Sequence, residues 1–154
     1  MNNILRIMKH YCAKWLVFTD LDGTLLDRRY DLKAAADAMD SLHQNECLCV
    51  PASSKTHLEM AELNNFRKFP SPYIFENGGG LSWPSATAPE MIGRSAEEIS
   101  DLLDHIRDEH LFNFRLFRDI SVVEIAGRTG LTEPGARKAK ARQASMPLIW
   151  TDTQ

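Results

Sequence analysis

Trp15-Leu-Val-Phe-Thr-Asp-Leu-Asp-Gly-Thr-Leu-Leu26 is the stretch from which the fold follows. Its first four residues are a short apolar run that reads as a buried strand, and Thr19-Asp20 marks where that strand leaves the core. On an extended backbone residues two apart point the same way, so Asp20 and Asp22 are expected to face one site from a single strand end. Gly23 permits the tight turn or close backbone approach such a site needs. A solvated Asp-x-Asp-Gly turn has the same residues; the apolar strand before it and Thr24-Leu-Leu26 after it favour a site. Two carboxylates there suit divalent-cation binding and covalent or acid–base catalysis.

Outward from this stretch, helix and strand alternate. Leu32, Ala35, Ala36, Met39 and Leu42 recur at three- and four-residue steps and predict a helix over 31–44, with Asp31 as its N-cap. Cys47-Leu-Cys-Val-Pro-Ala52 reads as a second buried strand closed by Ser53-Ser54. A shorter helix is expected over 56–66 with Leu58, Ala61 and Leu63 inward, then a third strand, Tyr73-Ile-Phe75, ending in Glu76-Asn-Gly-Gly-Gly80. Strand–helix–strand–helix–strand is the pattern of a parallel sheet with crossover helices, and such sheets bind ligands at the carboxyl ends of their strands. Asp20 and Asp22, Ser53 and Lys55, and Glu76 and Asn77 all fall at those ends.

After Gly80 the composition shifts. The Pro-, Ser-, Ala- and Gly-rich stretch from Ser82 to Arg94 reads as a linker. Ser95-Ala-Glu-Glu98 is a capping-box pattern opening a helix with Ile99, Leu102, Leu103 and Ile106 on one stripe. Leu111 to Phe117 reads as an aromatic strand, Ser121-Val-Val-Glu124 as a second capping box on a helix ended by Gly130, 133–144 as a basic helix and Pro147-Leu-Ile-Trp150 as a last strand. The basic helix, with Arg137, Lys138, Lys140 and Arg142, offers charge to a glycerate carboxylate or phosphate, or is a solvated face, the reading charge runs on helices favour. The expected class is α/β: a Rossmann-like parallel core over 15–82, a linker over 83–94, and part of an α+β module over 95–154, with 1–14 an N-terminal extension that starts at Met1 or Met8.

Composition narrows the class of function. The 154 residues carry a net charge of −3, are 25% charged and 44% hydrophobic, which excludes collagen-like, disordered and disulfide-scaffold chains. No apolar run approaches the ~18–20 residues of a membrane span, and the mild negative charge gives no reason to expect nucleic-acid binding. Cys12, Cys47 and Cys49 are odd in number and lack the second Cys/His pair of a zinc site. Free cysteines fit a reducing compartment, so a cytoplasmic location is expected. His57, His105 and His110 show no metal-ligand spacing.

Asp20-Leu-Asp-Gly-Thr24 after a first strand resembles the nucleophile motif of the haloacid-dehalogenase-like phosphatases. Ser53, within Pro51-Ala-Ser-Ser-Lys-Thr56, resembles their second motif. Ser53-Ser-Lys-Thr56, Glu76-Asn-Gly-Gly79, Ser121-Val-Val-Glu-Ile-Ala126, Thr129-Gly-Leu131, the Ala/Lys-rich helix and Leu148-Ile-Trp-Thr-Asp152 are similar to the mannosyl-3-phosphoglycerate phosphatase branch. The resemblance implies that Asp20 attacks phosphorus and becomes an aspartyl phosphate, and that Asp22 protonates the departing sugar oxygen and then activates water. It implies Mg²⁺ at Asp20 and Asp22, with Thr24, Ser53, Ser54, Lys55 and Asn77 on the phosphate or substrate side. For two of these the residues themselves leave alternatives: Lys55 is a partner for a substrate anion or an exposed lysine at a helix start, and Asn77 a site residue or a turn residue tolerating positive φ.

Members of that family also carry a later catalytic lysine and a G-D-x-x-N-D-type acidic motif, which do not occur up to Gln154. Two expectations therefore stand: a Mg²⁺-dependent phosphatase acting on a small phosphorylated sugar acid, and an inactive, C-terminally truncated remnant. In the family fold the strand carrying the absent acid packs beside the Asp20 strand, so an open sheet edge and self-association through it are expected.

Overall fold

The computed structural model describes residues 12–27, 32–65, 72–84 and 86–151. The N-terminal extension up to residue 11, Asp31 and Asp152 lie outside them. Strand β1 (Trp15–Thr19) pairs in parallel with β2 (Cys47–Pro51), Trp15 against Cys47 through Thr19 against Pro51. A parallel bridge between Ala52 and Ile74 carries the sheet on to β3 (Tyr73–Phe75). Helix α1 (Ala36–Gln44) connects β1 to β2, and α2 (His57–Asn65) connects β2 to β3. The α/β class and the strand–helix alternation are as expected from the sequence.

Local differences have physical causes. The first turn of the helix predicted over 31–44 is a 3₁₀ turn at Lys33–Ala35, and the face around Met39 and Leu42 is only half-buried. Helix α2 begins where Thr56 and Glu59 cap it reciprocally: the Thr56 N–H donates to Glu59 Oε2 at 2.8 Å and the Glu59 N–H to Thr56 Oγ1 at 3.3 Å. That start aims Thr56, Met60 and Leu63 inward and leaves Leu58, expected inside, 50% exposed. Strand β1 is less buried than its apolar sequence predicts, with Trp15 66% and Phe18 56% exposed. The reason is pairing: among the described residues β1 has a neighbour on one side.

The stretch read as a linker carries structure. Beyond the turn at Glu76–Gly78, β4 (Gly80–Ser82) pairs antiparallel with β3, and β5 (Glu90–Met91) with β4. Gly80 sits directly over the Phe75 ring, where a Cβ would fall 2.1 Å from the ring edge, so a side chain there would push the hairpin off β3.

Helix α3 (Ala96–His110) starts with the predicted capping box, Ser95 and Glu98 each accepting the other's main-chain N–H. Ala96 and Ser100 face inward, and Leu102 of the expected stripe is 49% exposed. Leu111 ends α3 in the left-handed conformation, so β6 is shorter than predicted (Phe114–Leu116); it pairs antiparallel with β7 (Leu148–Trp150). Helix α4 (Val122–Thr129) is capped by Ser121 and closed by Gly130 at φ 74°, but the reciprocal half of the expected box is absent because the Glu124 carboxylate binds Arg115 and Arg128. Helix α5 (Glu133–Lys140) stops short of the predicted 144.

Two apolar clusters hold this arrangement. Leu21, Leu26, Met60, Tyr73 and Phe75 form the first, behind the ends of β1 and β3. Ile120, Ile125 and Ala136 form the second, between α4 and α5.

Candidate active site

The Asp20–Leu26 turn is anchored by its apolar members. Leu21 and Leu26 are 3% and 1% exposed, whereas Asp20, Asp22, Gly23 and Thr24 are all exposed. The turn closes on itself through main-chain bonds: Leu26 N–H to the Leu21 carbonyl at 2.8 Å, Thr24 N–H to the same carbonyl at 3.2 Å, and Gly23 N–H to the Leu26 carbonyl at 3.1 Å. Gly23 takes φ +78°, a conformation that strains L side chains. With Leu21 in the core between them, both exposed carboxylates lie on the water side of one turn; the strand ends at Thr19, so the turn rather than an extended pleat sets this.

The end of β2 supplies the next groups. Ala52 N–H donates to the Thr19 carbonyl at 2.8 Å and Ser53 N–H to the Ile74 carbonyl at 3.1 Å, so this segment lies between the ends of β1 and β3. Ser53 is 4% exposed. Its Oγ accepts the Lys55 N–H at 3.2 Å, and its own hydroxyl proton has no acceptor among the described residues. The Lys55 Nζ reaches across to Asp22, 2.7 Å from Oδ1 and 2.8 Å from Oδ2. The structure thus answers the alternative left open for Lys55: it is a bridge between two strand ends, not a solvated helix-start lysine. Ser54 is exposed, and its main-chain carbonyl accepts from Arg142.

From β3 the turn at Glu76–Gly78 closes the third side. Glu76 N–H donates to the Lys55 carbonyl at 2.9 Å, and Asn77 N–H to the Ser53 carbonyl at 3.0 Å. Asn77 is exposed with φ 56°, so its turn role is realised, and it joins the site through its main chain. The convergence of Asp22, Ser53, Lys55 and Asn77 at one sheet edge, inferred from three separate strand ends, is therefore present.

Two residues outside the expected set of site residues, Glu76 and Arg142, are structurally central. Glu76 is 2% exposed, and its carboxylate accepts the Gln143 N–H at 2.9 Å, the Ala144 N–H at 3.0 Å and the Ser145 hydroxyl at 2.6 Å. Arg142, read as part of a solvated helix, instead follows the end of α5 and donates through Nη1 to the Ser54 carbonyl and to Ser145 Oγ, both at 3.0 Å. Two more of its cations are engaged, Lys138 pairing with Glu62 and Lys140 Nζ donating to the Ile120 carbonyl at 2.5 Å, while Arg137 is exposed as expected. The signal available in advance was slight: buried Ala136 and Ala139 imply a helix with an inner face, which brings neighbouring long cations inward.

His57 belongs to the packing behind the site. Its Nδ1 lies 3.1 Å from the Tyr73 hydroxyl and its ring stacks on Tyr73. Burial there pulls the imidazole below its ordinary value and, on the other partner, pushes the Tyr73 hydroxyl up.

Among the described residues no group of three or more His, Cys, Asp or Glu side chains gathers around one point. Near the turn the Asp20 carboxylate is exposed, while the Asp22 carboxylate is held by Lys55. This donor set fits Mg²⁺, which keeps several waters and binds through one or two carboxylates plus substrate phosphate. No helix among the described residues is long and apolar enough to cross a membrane.

A family model described as haloacid dehalogenase-like hydrolase matches residues 17–145. The fold is similar to that of TM0651 from Thermotoga maritima (TM-score 0.57, 16% identity, 92% of this chain and 57% of that one). It is also similar to BT1666 from Bacteroides thetaiotaomicron, studied among the phosphatases of the haloalkanoate enzyme superfamily (0.54, 19%, 77% and 47%). A haloacid dehalogenase-like hydrolase from B. subtilis matches likewise (0.52, 14%, 81% and 49%). The chain spans about half the length of these proteins.

Proposed function

Because the chain belongs to the haloacid dehalogenase-like hydrolase family, we propose that its site is that of a Mg²⁺-dependent phosphatase working through an aspartyl phosphate on Asp20. The substrate proposed is a sugar phosphoglycerate, mannosyl-3-phosphoglycerate, released as mannosylglycerate and phosphate. One observation carries the reaction class: Asp20 and Asp22 face water from either side of a buried leucine, with Lys55 bound to Asp22 and an unpaired Ser53 hydroxyl proton beside it.

Phosphoryl transfer needs an in-line nucleophile, a proton for the leaving oxygen and donors for the equatorial oxygens. An Asp20 carboxylate oxygen attacks phosphorus as the bond to the sugar-acid oxygen breaks, and Asp22 gives that oxygen its proton. Asp22 then takes a proton from the water that attacks the phosphorus, returning Asp20 and releasing phosphate. Ser53 donates its hydroxyl proton to the phosphoryl group, and Lys55, now bound to Asp22, supplies positive charge to the same oxygens. Asp20 and the Asp22 carbonyl would hold Mg²⁺, whose bound charge neutralises the phosphoryl oxygens. Thr24, exposed on the same turn, completes the phosphate side.

The choice of substrate is supported by Ser53-Ser-Lys-Thr56, Glu76-Asn-Gly-Gly79 and the motifs from Ser121 to Trp150, which resemble the mannosyl-3-phosphoglycerate phosphatase branch. Phosphate release from an aryl phosphate with Mg²⁺ tests the reaction class: Asp20→Asn should abolish it, and equal rates for the two proteins would defeat the reading. Preference for mannosyl-3-phosphoglycerate over sugar phosphates without a carboxylate tests the substrate.

A further inference from the structure

We propose that Arg142 is the contact that reads a second, carboxylate anion on the substrate, and that Glu76 positions it. The proposal rests on the phosphatase reading above and adds to it a residue from the second module.

The guanidinium is fixed by uncharged acceptors, one of which, Ser145 Oγ, itself donates to the Glu76 carboxylate. Nε donates to the Ala139 carbonyl at 3.1 Å, and Nη1 to the Ser54 carbonyl and Ser145 Oγ at 3.0 Å each. All three acceptors are uncharged, and Arg142 forms no ion pair among the described residues. Nη2 keeps both of its donors for another partner. A half-buried cation held by neutral acceptors keeps its charge available to an anion. Lys138 is different: it lies within α5 and is paired with Glu62.

Placement puts that charge at the site. Ser54 lies between Ser53, whose hydroxyl proton is unpaired, and Lys55, which reaches Asp22. The hold on Arg142 comes from Glu76: its buried carboxylate takes the Gln143 and Ala144 N–H groups and the Ser145 hydroxyl. The Gln143 carbonyl in turn accepts the Ala96 N–H at 2.7 Å, so the segment after Arg142 is tied both to the core turn and to the start of α3. Glu76 is thus a positioning residue, acting through Ser145 and the chain next to Arg142.

The test pairs two ligands that differ in one group: 3-phosphoglycerate and glycerol 3-phosphate share the phosphate, and the first carries a carboxylate where the second has a hydroxymethyl. On the full chain with Mg²⁺, Arg142→Gln should weaken binding of 3-phosphoglycerate by about 10- to 100-fold, the range for loss of a charged hydrogen-bonded pair. Binding of glycerol 3-phosphate should stay within about 3-fold, as should hydrolysis of an aryl phosphate. Arg142→Lys keeps the stem and charge and separates loss of the fork from loss of folding; it should fall between the two. Glu76→Gln should raise KM for carboxylate-bearing substrates more than KM for the aryl phosphate. Equal weakening of both ligands by Arg142→Gln, or of neither, overturns the proposal. If wild type and Asp20→Asn hydrolyse aryl phosphate equally, the phosphatase reading fails, and selective loss of 3-phosphoglycerate binding still decides the role of Arg142.

Discussion

Replacing Glu76 by glutamine preserves the side chain's shape and turns one acceptor oxygen into a donor. In the native structure both oxygens face donors: Oε1 takes the Gln143 N–H, and Oε2 takes the Ala144 N–H and the Ser145 hydroxyl. An amide can satisfy one side, so at least one N–H is left facing an NH₂ group, and the remaining bonds lose their charge assistance. Hydrogen bonds to a charged group contribute about 1.5–3 kcal/mol each, neutral ones about 1. One lost and the others weakened gives about 2–4 kcal/mol for Glu76→Gln, and more for Glu76→Ala, which leaves all three donors without their acceptor. Urea denaturation followed by tryptophan fluorescence reads this as a lower midpoint at unchanged slope. A double-mutant cycle with Ser145→Ala isolates the pair and should show a coupling of about 1–2 kcal/mol. A Glu76→Gln change below about 0.5 kcal/mol, or strict additivity with Ser145→Ala, would refute the view that this carboxylate joins the two modules.

Lys55→Met removes a partly exposed ion pair and should change stability by no more than about 1 kcal/mol. It should also slow aryl-phosphate hydrolysis by about 10²-fold; parallel loss of stability and rate would reduce Lys55 to a structural bridge. Burial holds the His57 imidazole below its ordinary 6.5, so between that value and the folded one the unfolded chain binds a proton the folded chain does not. The contribution is complete above pH about 6.5 and is lost as pH falls through that window. The urea midpoint should therefore drop between pH about 7.5 and about 5.5, and drop less in His57→Gln; equal drops would remove His57 as the cause.

How much was legible in advance depends on how local each feature is. Asp20, Leu21 and Asp22 alternate between water and core because the one apolar residue among them is the one the core takes, and three-residue neighbours such as Ser95 and Glu98 find each other on any helix start. The stripe of α2 was misread because Thr56 fixes where the helix begins, and a shift of start rotates Leu58 out and Met60 in. The strand β5 was missed because a two-residue pairing is created by β4, not by the residues of the strand itself.

The amino-acid order alone determined the strand–turn–helix alternation, the pair of outward carboxylates and the glycine that lets their turn close, since each depends on neighbours within a few bonds. Tertiary structure alone decided that the Glu76 carboxylate meets donors 67 to 69 positions away, and that Arg142 leans on Ser54 across 88. The physical reason is that a buried charge accepts whichever donors the packed chain delivers, and those donors come from segments far apart in sequence.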